Sequence, residues 1–517
     1  MKKPVLGIDE VRALPDDPSL LKEELCRTVL KYREVEEELL VFRHKLFGKS
    51  SERYTPEEER QLRLFNEAED GSGEEAEESD TEEPTVVKEH VRKKRGRKPL
   101  PKGLPRVEIV YDLTEEEKTC GCCGNPLPCI GSEQSEELEI IPATIEVHKH
   151  IRKKYGPCDC ENAQAMDEPV IRTAPGPKRL LPGSIAGPGL LAHVVTGKFV
   201  DSLPLYRQEK MFRRMEIELS RATLCNWVMT AAHACADLID LLWEKVLAGT
   251  HIHMDETTLQ VLDEPGRTAE QKSYMWVTVG YEGDKPIVLY HYHPTRSERV
   301  PLSCLEGFHG YVQTDGYAGY NNACAREDII HVGCFAHARR KFHEAALVTK
   351  KTGAAQVGLS FIKTLYTLER DLRETGLYEE DFIHRRRERA GPVLTEFHEW
   401  LVKKADQVPP RTKLGEAVGY TLHQWPKLIR YLDAAFLTPD NNAAEQAIRP
   451  FVLGRKNWLF SNTPRGAHAS AALYSLVETA KLNGAQPYLY LKHLFEKLPY
   501  AVTRKDREKL LPINFLM

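Results

Sequence analysis

The sequence predicts a multidomain α/β protein, a strand-rich core interrupted by a helical insertion and preceded by several smaller segments. Three observations predict it. At 517 residues the chain is too long for one hydrophobic core and implies three or four folded units. From Thr250 a series of strands gives way to a long helical stretch and then to a returning helix. The net charge of -5 averages one acidic stretch against several basic ones, so the chain is bipolar. No apolar run reaches the length of a membrane span, and MKKPVLGIDEVRALPDD lacks the apolar core of a signal peptide. The expectation is a cytoplasmic protein with no membrane partner.

Residues 1–54 are expected to form an N-terminal helix. Leu25, Val29, Tyr32, Val35, Leu39, Phe42 and Leu46 recur at steps of three and four on one face. That stripe suits either packing on the protein itself or a short coiled coil, which would make the chain a homo-oligomer. Residues 55–106 form a linker. Its acidic part, EAEDGSGEEAEESDTEEP, has too little apolar content to offset the entropy of ordering. Its basic part, Lys93 to Pro99, sets Gly96 between Arg95 and Arg97, so that an extended backbone could enter the minor groove of A·T-rich DNA like an AT-hook; a solvated basic linker is the alternative.

Residues 107–165 hold six of the 12 cysteines. In a reducing compartment such crowding indicates metal binding rather than disulfides. Cys120 and Cys123, with Cys158 and Cys160 across a hairpin-length segment, are the candidate ligands of one structural zinc. The second pair is CxC rather than CxxC, which leaves the fourth ligand open to His148 or His150. Residues 166–248 turn helical. Ser220 is a plausible N-cap, Arg221, Thr223 and Asn226 lie on the early exposed face of its helix, and a short turn at Glu216 to Leu219 precedes it. This suits a DNA-reading helix-turn-helix, with Arg221 and Asn226 as its contacts, or a plain helical bundle.

Residues 249–345 open the core. THIHMDETTLQVL, SYMWVTVGYEG and KPIVLYHY form an antiparallel meander with Asp255 in the first strand; GYVQTDGYAGY ends with Asp315, and DIIHVGCF leads into a helix. Acids on the first and fourth strands in this order are what a ribonuclease-H-like fold requires, because those two strands are neighbours in its sheet. Residues 346–432 are the helical insertion. Residues 433–482 complete the core, with Asp440 or Asn441 capping a helix that carries Glu445 on an early turn, and residues 483–517 form a C-terminal tail helix.

Three carboxylates brought together suit phosphodiester chemistry. An in-line displacement puts charge on both the attacking and the leaving oxygen, and two magnesium ions about 3.5 to 4 Å apart stabilise both. Magnesium, or manganese in its place, takes oxygen ligands, with Asp255 as the bridging one. Glu256 points to the opposite strand face and Glu478 lies in a later helix, so neither competes. Near the acids, Arg339, Arg340 and Lys341, and then Arg449, Arg455, Lys456 and Arg465, are placed to meet phosphates. Trp458 suits either base stacking or core packing. Cys334 and His337 are spaced like metal ligands, with helix packing as the alternative.

The runs LFGKSSER, HMDETTLQVL, VQTDGYAGYNN, CFAHARRKF and PDNNAAEQAIRPFVLGRKNWLFSNTPRGAHASAALYSLVETAKLNG closely resemble the large transposase of the insertion-sequence-66 family of bacterial mobile elements. The likeness covers nearly the whole chain. It implies a leucine-zipper-like N-terminus, a zinc-binding domain, a helix-turn-helix-like segment and a ribonuclease-H-like core whose triad, Asp255, Asp315 and Glu445, is split by an insertion. It also implies magnesium-dependent cleavage and transfer of DNA strands at the element ends, a nucleoid-associated location and accessory proteins encoded by the element. A DNA-binding repressor without catalysis is the competing function. Two departures from the family stand out: CxC replaces the usual second CxxC, and Gln446 replaces the usual arginine after Glu445.

Overall fold

The computed structural model describes residues 18–47, 145–155, 172–348 and 353–515. The chain divides into two compact units, one of residues 1–65 with 177–517 and one of residues 66–176. In the second, Lys154–Tyr155 (β1) pairs antiparallel with Arg172–Thr173 (β2), and Arg152 Nε donates to the Ala174 carbonyl at 2.7 Å. Cys120, Cys123, Cys158 and Cys160, like Arg95 and Arg97, lie outside the described residues.

The larger unit starts with a 30-residue helix, Pro18–Phe47 (α1), on which the predicted stripe is exposed: Leu25, Val29, Tyr32, Val35, Leu39 and Phe42 all face outward. Four helices follow: Pro188–Phe199 (α2), Leu205–Arg214 (α3), Arg221–Ala234 (α4) and Ala236–Leu247 (α5). Ser220 caps α4 as expected, its hydroxyl accepting from the Thr223 amide. The run from Ser220 to Val246 is not one helix, because it breaks at Cys235. The break lets both halves bury an apolar face, Leu224, Trp227 and Val228 before it and Leu238, Leu241 and Leu242 after it. Buried Gln208 ties α3 to α2 by donating to the carbonyls of Val194 and Leu203.

The core sheet has the order β5-β4-β3-β6-β7, built from His251–Gln260 (β3), Lys272–Glu282 (β4), Lys285–His293 (β5), Gly310–Gln313 (β6) and Ile329–Val332 (β7). The meander β3–β4–β5 is antiparallel, whereas β3, β6 and β7 run parallel. A short helix, Arg299–Cys304 (α6), bridges β5 to β6, and Phe335–Val348 (α7) follows β7. Most of β4 is buried without alternation, as expected of a strand covered on both faces. Helix α5 lies against β4, close enough that a Cβ on Gly280 would fall 2.6 Å from Val246.

The expected insertion is three helices, Ala354–Glu374 (α8), Glu379–Ala405 (α9) and Lys413–Leu428 (α10), with a 3-10 turn at Ile429–Leu432. They share a second hydrophobic core with α7, in which Phe342, Phe397 and Trp400 meet. The chain then returns through Asn442–Trp458 (α11) and Pro464–Leu482 (α12). Beyond residue 483 it forms Pro487–Lys497 (α13) and Arg504–Glu508 (α14). These are no tail helix. Tyr490, Leu491 and Leu494 are buried in the main core, and α13 packs on α2.

Strand β5 is an edge, and α12 closes it. The Tyr290 amide donates to Ser475 Oγ at 2.8 Å and the Val288 amide to Thr479 Oγ1 at 2.9 Å; Thr479 returns a bond to the Val288 carbonyl, and Asn483 Nδ2 donates to the Pro286 carbonyl. Polar side chains at successive i+4 positions of α12 and its C-cap thus replace a missing neighbour strand. Thr479→Val keeps the volume but leaves two buried backbone groups unpaired. It is expected to cost about 1–3 kcal/mol in urea unfolding, and a loss below the measurement error would refute this account of the edge.

Candidate active site

The register of the sheet places the two aspartates. His253 on β3 is the partner of Gln313 at the end of β6, and Asp255 and Asp315 each follow two residues further along the chain. Adjacent strands run about 4.8 Å apart. Both acids therefore stand at the carboxyl end of this parallel pair, where ligands of α/β sheets commonly bind. Strand β6 itself is shorter than the sequence suggests and stops at Gln313. Asp315 sits in the turn beyond it, where Oδ1 accepts from the Tyr317 amide at 2.9 Å; Asp255 Oδ1 accepts from the Glu256 amide at 2.8 Å.

Glu445 reaches this end of the sheet because the segment before its helix is tied down at several points. Gln313 Nε2 donates to the Thr438 carbonyl at 2.8 Å, and the Phe335 amide donates to the Pro439 carbonyl at 2.9 Å. Asn441 makes the central link. Its Nδ2 donates to the Met254 carbonyl at 2.8 Å, its Oδ1 accepts from His253 Nδ1 at 3.1 Å, and its amide donates to Cys334 Sγ at 3.2 Å. The side chain of Asn441 is therefore a staple between α11 and β3, not a helix cap, while Asp440 Oδ1 takes the Asn442 amide. Nothing in sequence periodicity marks this role, since asparagine before a helix normally reads as a cap.

The insertion supports the same place from the other side. The Lys427 carbonyl accepts from the Gly333 amide, and a Cβ on Gly316 would fall 2.5 Å from the Tyr420 hydroxyl. Only glycine after Asp315 allows α10 so near.

The three acids feel one another. Burial raises the Asp255 carboxyl well above its ordinary range, and the charges of Glu256, Asp315 and Glu445 push it further. Burial also raises Glu445; Arg340 opposes the rise, and Asp440 and Asp315 add to it. Such a set of half-buried, mutually repelling carboxylates is short of positive charge. Among the described residues, however, the one group of three whose donor atoms all lie within 4.8 Å is Cys334, His337 and Glu445; the two aspartates and Glu445 do not by themselves form such a group.

Glu256 is closer to the site than strand alternation predicts, being coupled electrostatically to Asp255 and Asp315. Its carboxylate is already engaged by Arg296 and by the Tyr320 hydroxyl, and Arg296 lies 3.7 Å from the Tyr317 ring centroid. Glu478 pairs with Lys481 on α12. Of the basic residues, Arg221, Lys456 and Arg465 are exposed, as is Asn226, and Arg449 is half-buried. Arg455 instead donates to the hydroxyls of Thr257 and Thr258 on β3. Trp458 packs edge-on against Phe451 at 5.3 Å, which supports the core role.

The raised acids give a pH dependence for the metal-free chain. A carboxyl raised in the fold contributes most below its unfolded value, 3.8 for Asp255 and 4.5 for Glu445, and that contribution is lost as pH rises through the folded value. In chelator, the melting temperature of Asp255→Asn should fall less steeply than that of the parent as pH rises from about 4 towards neutrality. Parallel slopes would show that burial of Asp255 carries no such penalty.

A family model described as "Transposase IS66 family" matches residues 183–469. Flanking models match the "Transposase C of IS166 homeodomain" at residues 34–109, the "zinc-finger binding domain of transposase IS66" at 117–161 and the "IS66 C-terminal element" at 475–513. The uncharacterized protein y4jD of Sinorhizobium fredii is 32% identical over 80% of this chain and 81% of its own length. Its uncharacterized proteins y4hP and y4qI are 30% and 29% identical, over 81% and 82% of this chain and 77% and 78% of their own lengths. Among the described residues no helix is long and apolar enough to cross a membrane. With its five-stranded mixed sheet and these matches from residue 34 to residue 513, the chain belongs to the IS66 family of transposases, DNA-acting enzymes with a DDE domain.

Proposed function

We propose that this transposase binds the ends of a mobile element and cleaves and transfers DNA strands with Asp255, Asp315 and Glu445 as its magnesium ligands. The observation that carries the reading is the shared two-residue step from His253 and Gln313 to Asp255 and Asp315, with Asn441 stapling the start of the Glu445 helix to the same strand. The donor set fits the ion, being three oxygen ligands in a place already short of positive charge. When bound, a pair of magnesium ions would stabilise charge on the attacking and leaving oxygens of an in-line displacement. The chain's own part is to hold the carboxylates in register, to keep Glu256 out of competition through Arg296 and Tyr320, and to position phosphates. Arg340, exposed and favourable to Glu445, together with Lys456 and Arg465, suits that last task.

Duplex DNA is the proposed partner of α3 and α4, with Arg221 and Asn226 facing outward at the start of α4. Arg95 and Arg97 would add a minor-groove contact, and Arg449 a phosphate contact. One structural zinc is assigned to Cys120, Cys123, Cys158 and Cys160, all within the zinc-finger match. Homo-oligomerisation through α1 accounts for its exposed apolar stripe. The proposed domain boundaries are those read from the sequence up to residue 482, with residues 346–432 as a brace for the site. The direct test is cleavage of element-end DNA with and without magnesium. Strand cuts that require the ion are expected; DNA binding with no cleavage under either condition would leave a repressor as the better reading.

A further inference from the structure

We propose that Cys334, His337 and Glu445 form a zinc site with three protein ligands and one exchangeable position, distinct from the pair of aspartates and sharing only Glu445 with the magnesium acids. Cys334 immediately precedes α7, His337 lies on the first turn of that helix, and Glu445 faces both from the first turn of α11. Cys334 Sγ stands 3.9 Å and His337 Nδ1 3.8 Å from the same Glu445 oxygen, Oε1. The histidine distance is too long for a good hydrogen bond, which closes to about 2.7–3.2 Å. It is near the spacing of two ligands on one ion. With Zn–S of about 2.3 Å and Zn–N and Zn–O of about 2.0–2.1 Å, neighbouring donors of a tetrahedron lie about 3.3–3.6 Å apart. A closure of a few tenths of an ångström would bring both contacts to Glu445 into that range, and all three donors already lie within 4.8 Å of one another.

A second observation points the same way. His337 Nδ1 is buried and has no hydrogen-bond partner, an arrangement that folded proteins generally avoid unless another ligand takes the lone pair. The sulfur, by contrast, is prepared for an anion. The Asn441 amide donates to it at 3.2 Å, as backbone donors do around metal-bound thiolates. Without an ion, burial and the nearby carboxylates of Glu445 and Asp440 keep the thiol protonated. Zinc would displace that proton to solvent. The result, a divalent cation with one thiolate, one carboxylate and one neutral imidazole, carries no net charge, so it can be buried at low cost where a lone carboxylate cannot.

The donor chemistry sets the selectivity. Sulfur and imidazole nitrogen favour zinc and disfavour magnesium and calcium, which take oxygen. Cys334 is fully buried while His337 and Glu445 keep side-chain exposures of 24% and 14%, so the ion would enter from the histidine side and keep its open position there.

The test is zinc content by mass spectrometry on the full-length protein, after dialysis against a weak chelator. Cys334→Ser and His337→Ala should each hold about one zinc fewer than the parent, whatever the parent's total, because the cysteine-rich segment is untouched. Cobalt loading of a Cys120→Ser/Cys123→Ser chain should give a thiolate-to-metal charge-transfer band that Cys334→Ser abolishes. The cobalt spectrum also covers the case in which a zinc-site variant folds poorly, since it reads the site in a chain that retains Cys334. Equal zinc content in the parent and both variants, or a cobalt-loaded chain without the band, would overturn the site. Asp315→Asn should keep the full zinc content, so failure of the magnesium assignment and failure of this one are told apart.

Discussion

Asp315→Asn is expected to lower magnesium-dependent cleavage of element-end DNA by about a thousandfold or more while DNA affinity stays within about twofold. The first half follows from the chemistry. Replacing one carboxylate oxygen by an amide would remove an anionic ligand from the proposed magnesium pair, and about 4 kcal/mol of lost stabilisation is a thousandfold in rate. The second half follows from where the affinity arises, since contacts to phosphates come from lysine and arginine and not from the acids. The substitution is also structurally mild. The introduced carboxamide keeps an oxygen for the Tyr317 amide, which Asp315 Oδ1 accepts at 2.9 Å, so the turn after β6 survives. Removing this charge relieves Asp255, Glu256 and Glu445 together, so the metal-free variant should melt no lower than the parent at neutral pH. Gel-shift binding, a strand-cleavage assay and a melting curve give three independent readings. Cleavage at the parental rate would remove Asp315 from the metal site.

Much of this core is legible in the sequence because strands and amphipathic helices announce themselves by period. The meander, the placing of β6 beside β3, the insertion and the returning Glu445 helix all follow from pattern and order. What periodicity cannot show is how the ends of these elements are joined. Asn441 reads as a cap from its position before a helix, yet its side chain belongs to β3, 187 residues earlier in the chain. Ser475, Thr479 and Asn483 read as polar positions on an apolar helix, and only the sheet edge gives them partners. Glu256 illustrates the converse. Alternation assigns it to the opposite face, but alternation carries no distance, and its charge still reaches both aspartates. The spacing of Cys334 and His337 is visible in the sequence; the third donor, brought in across the whole insertion, is not.

Arg386→Ala should destabilise the larger unit by about 3–5 kcal/mol, the cost of breaking a buried ion pair from one side. This arginine of α9 is fully buried, and its guanidinium ties α8 and α9 to the strip of chain from Tyr431 to Leu437. Nη2 meets Glu369 of α8 at 2.7 Å and the Leu437 carbonyl at 3.0 Å, and Nη1 meets the carbonyls of Tyr431 and Ala434 at 2.6 and 2.8 Å. Those carbonyls lie in the strip of chain leading directly into Thr438–Glu445, whose anchoring places the third acid. Loss of the guanidinium leaves the Glu369 charge and the Leu437 carbonyl with Arg373 alone and takes its donor from the Tyr431 carbonyl. Lysine cannot substitute, because one ammonium does not reproduce a planar fork that serves one carboxylate and four carbonyls. Arg386→Lys should therefore recover less than half of the lost stability in urea unfolding. Because the strip is shared, both variants should also cleave more slowly than their folded fraction accounts for, with the deficit partly restored at high magnesium, where ion binding helps to draw Glu445 back. Stability lost with cleavage per folded molecule unchanged would confine Arg386 to the insertion; stability lost by less than about 1 kcal/mol would show that the buried fork is not what holds the insertion to the core.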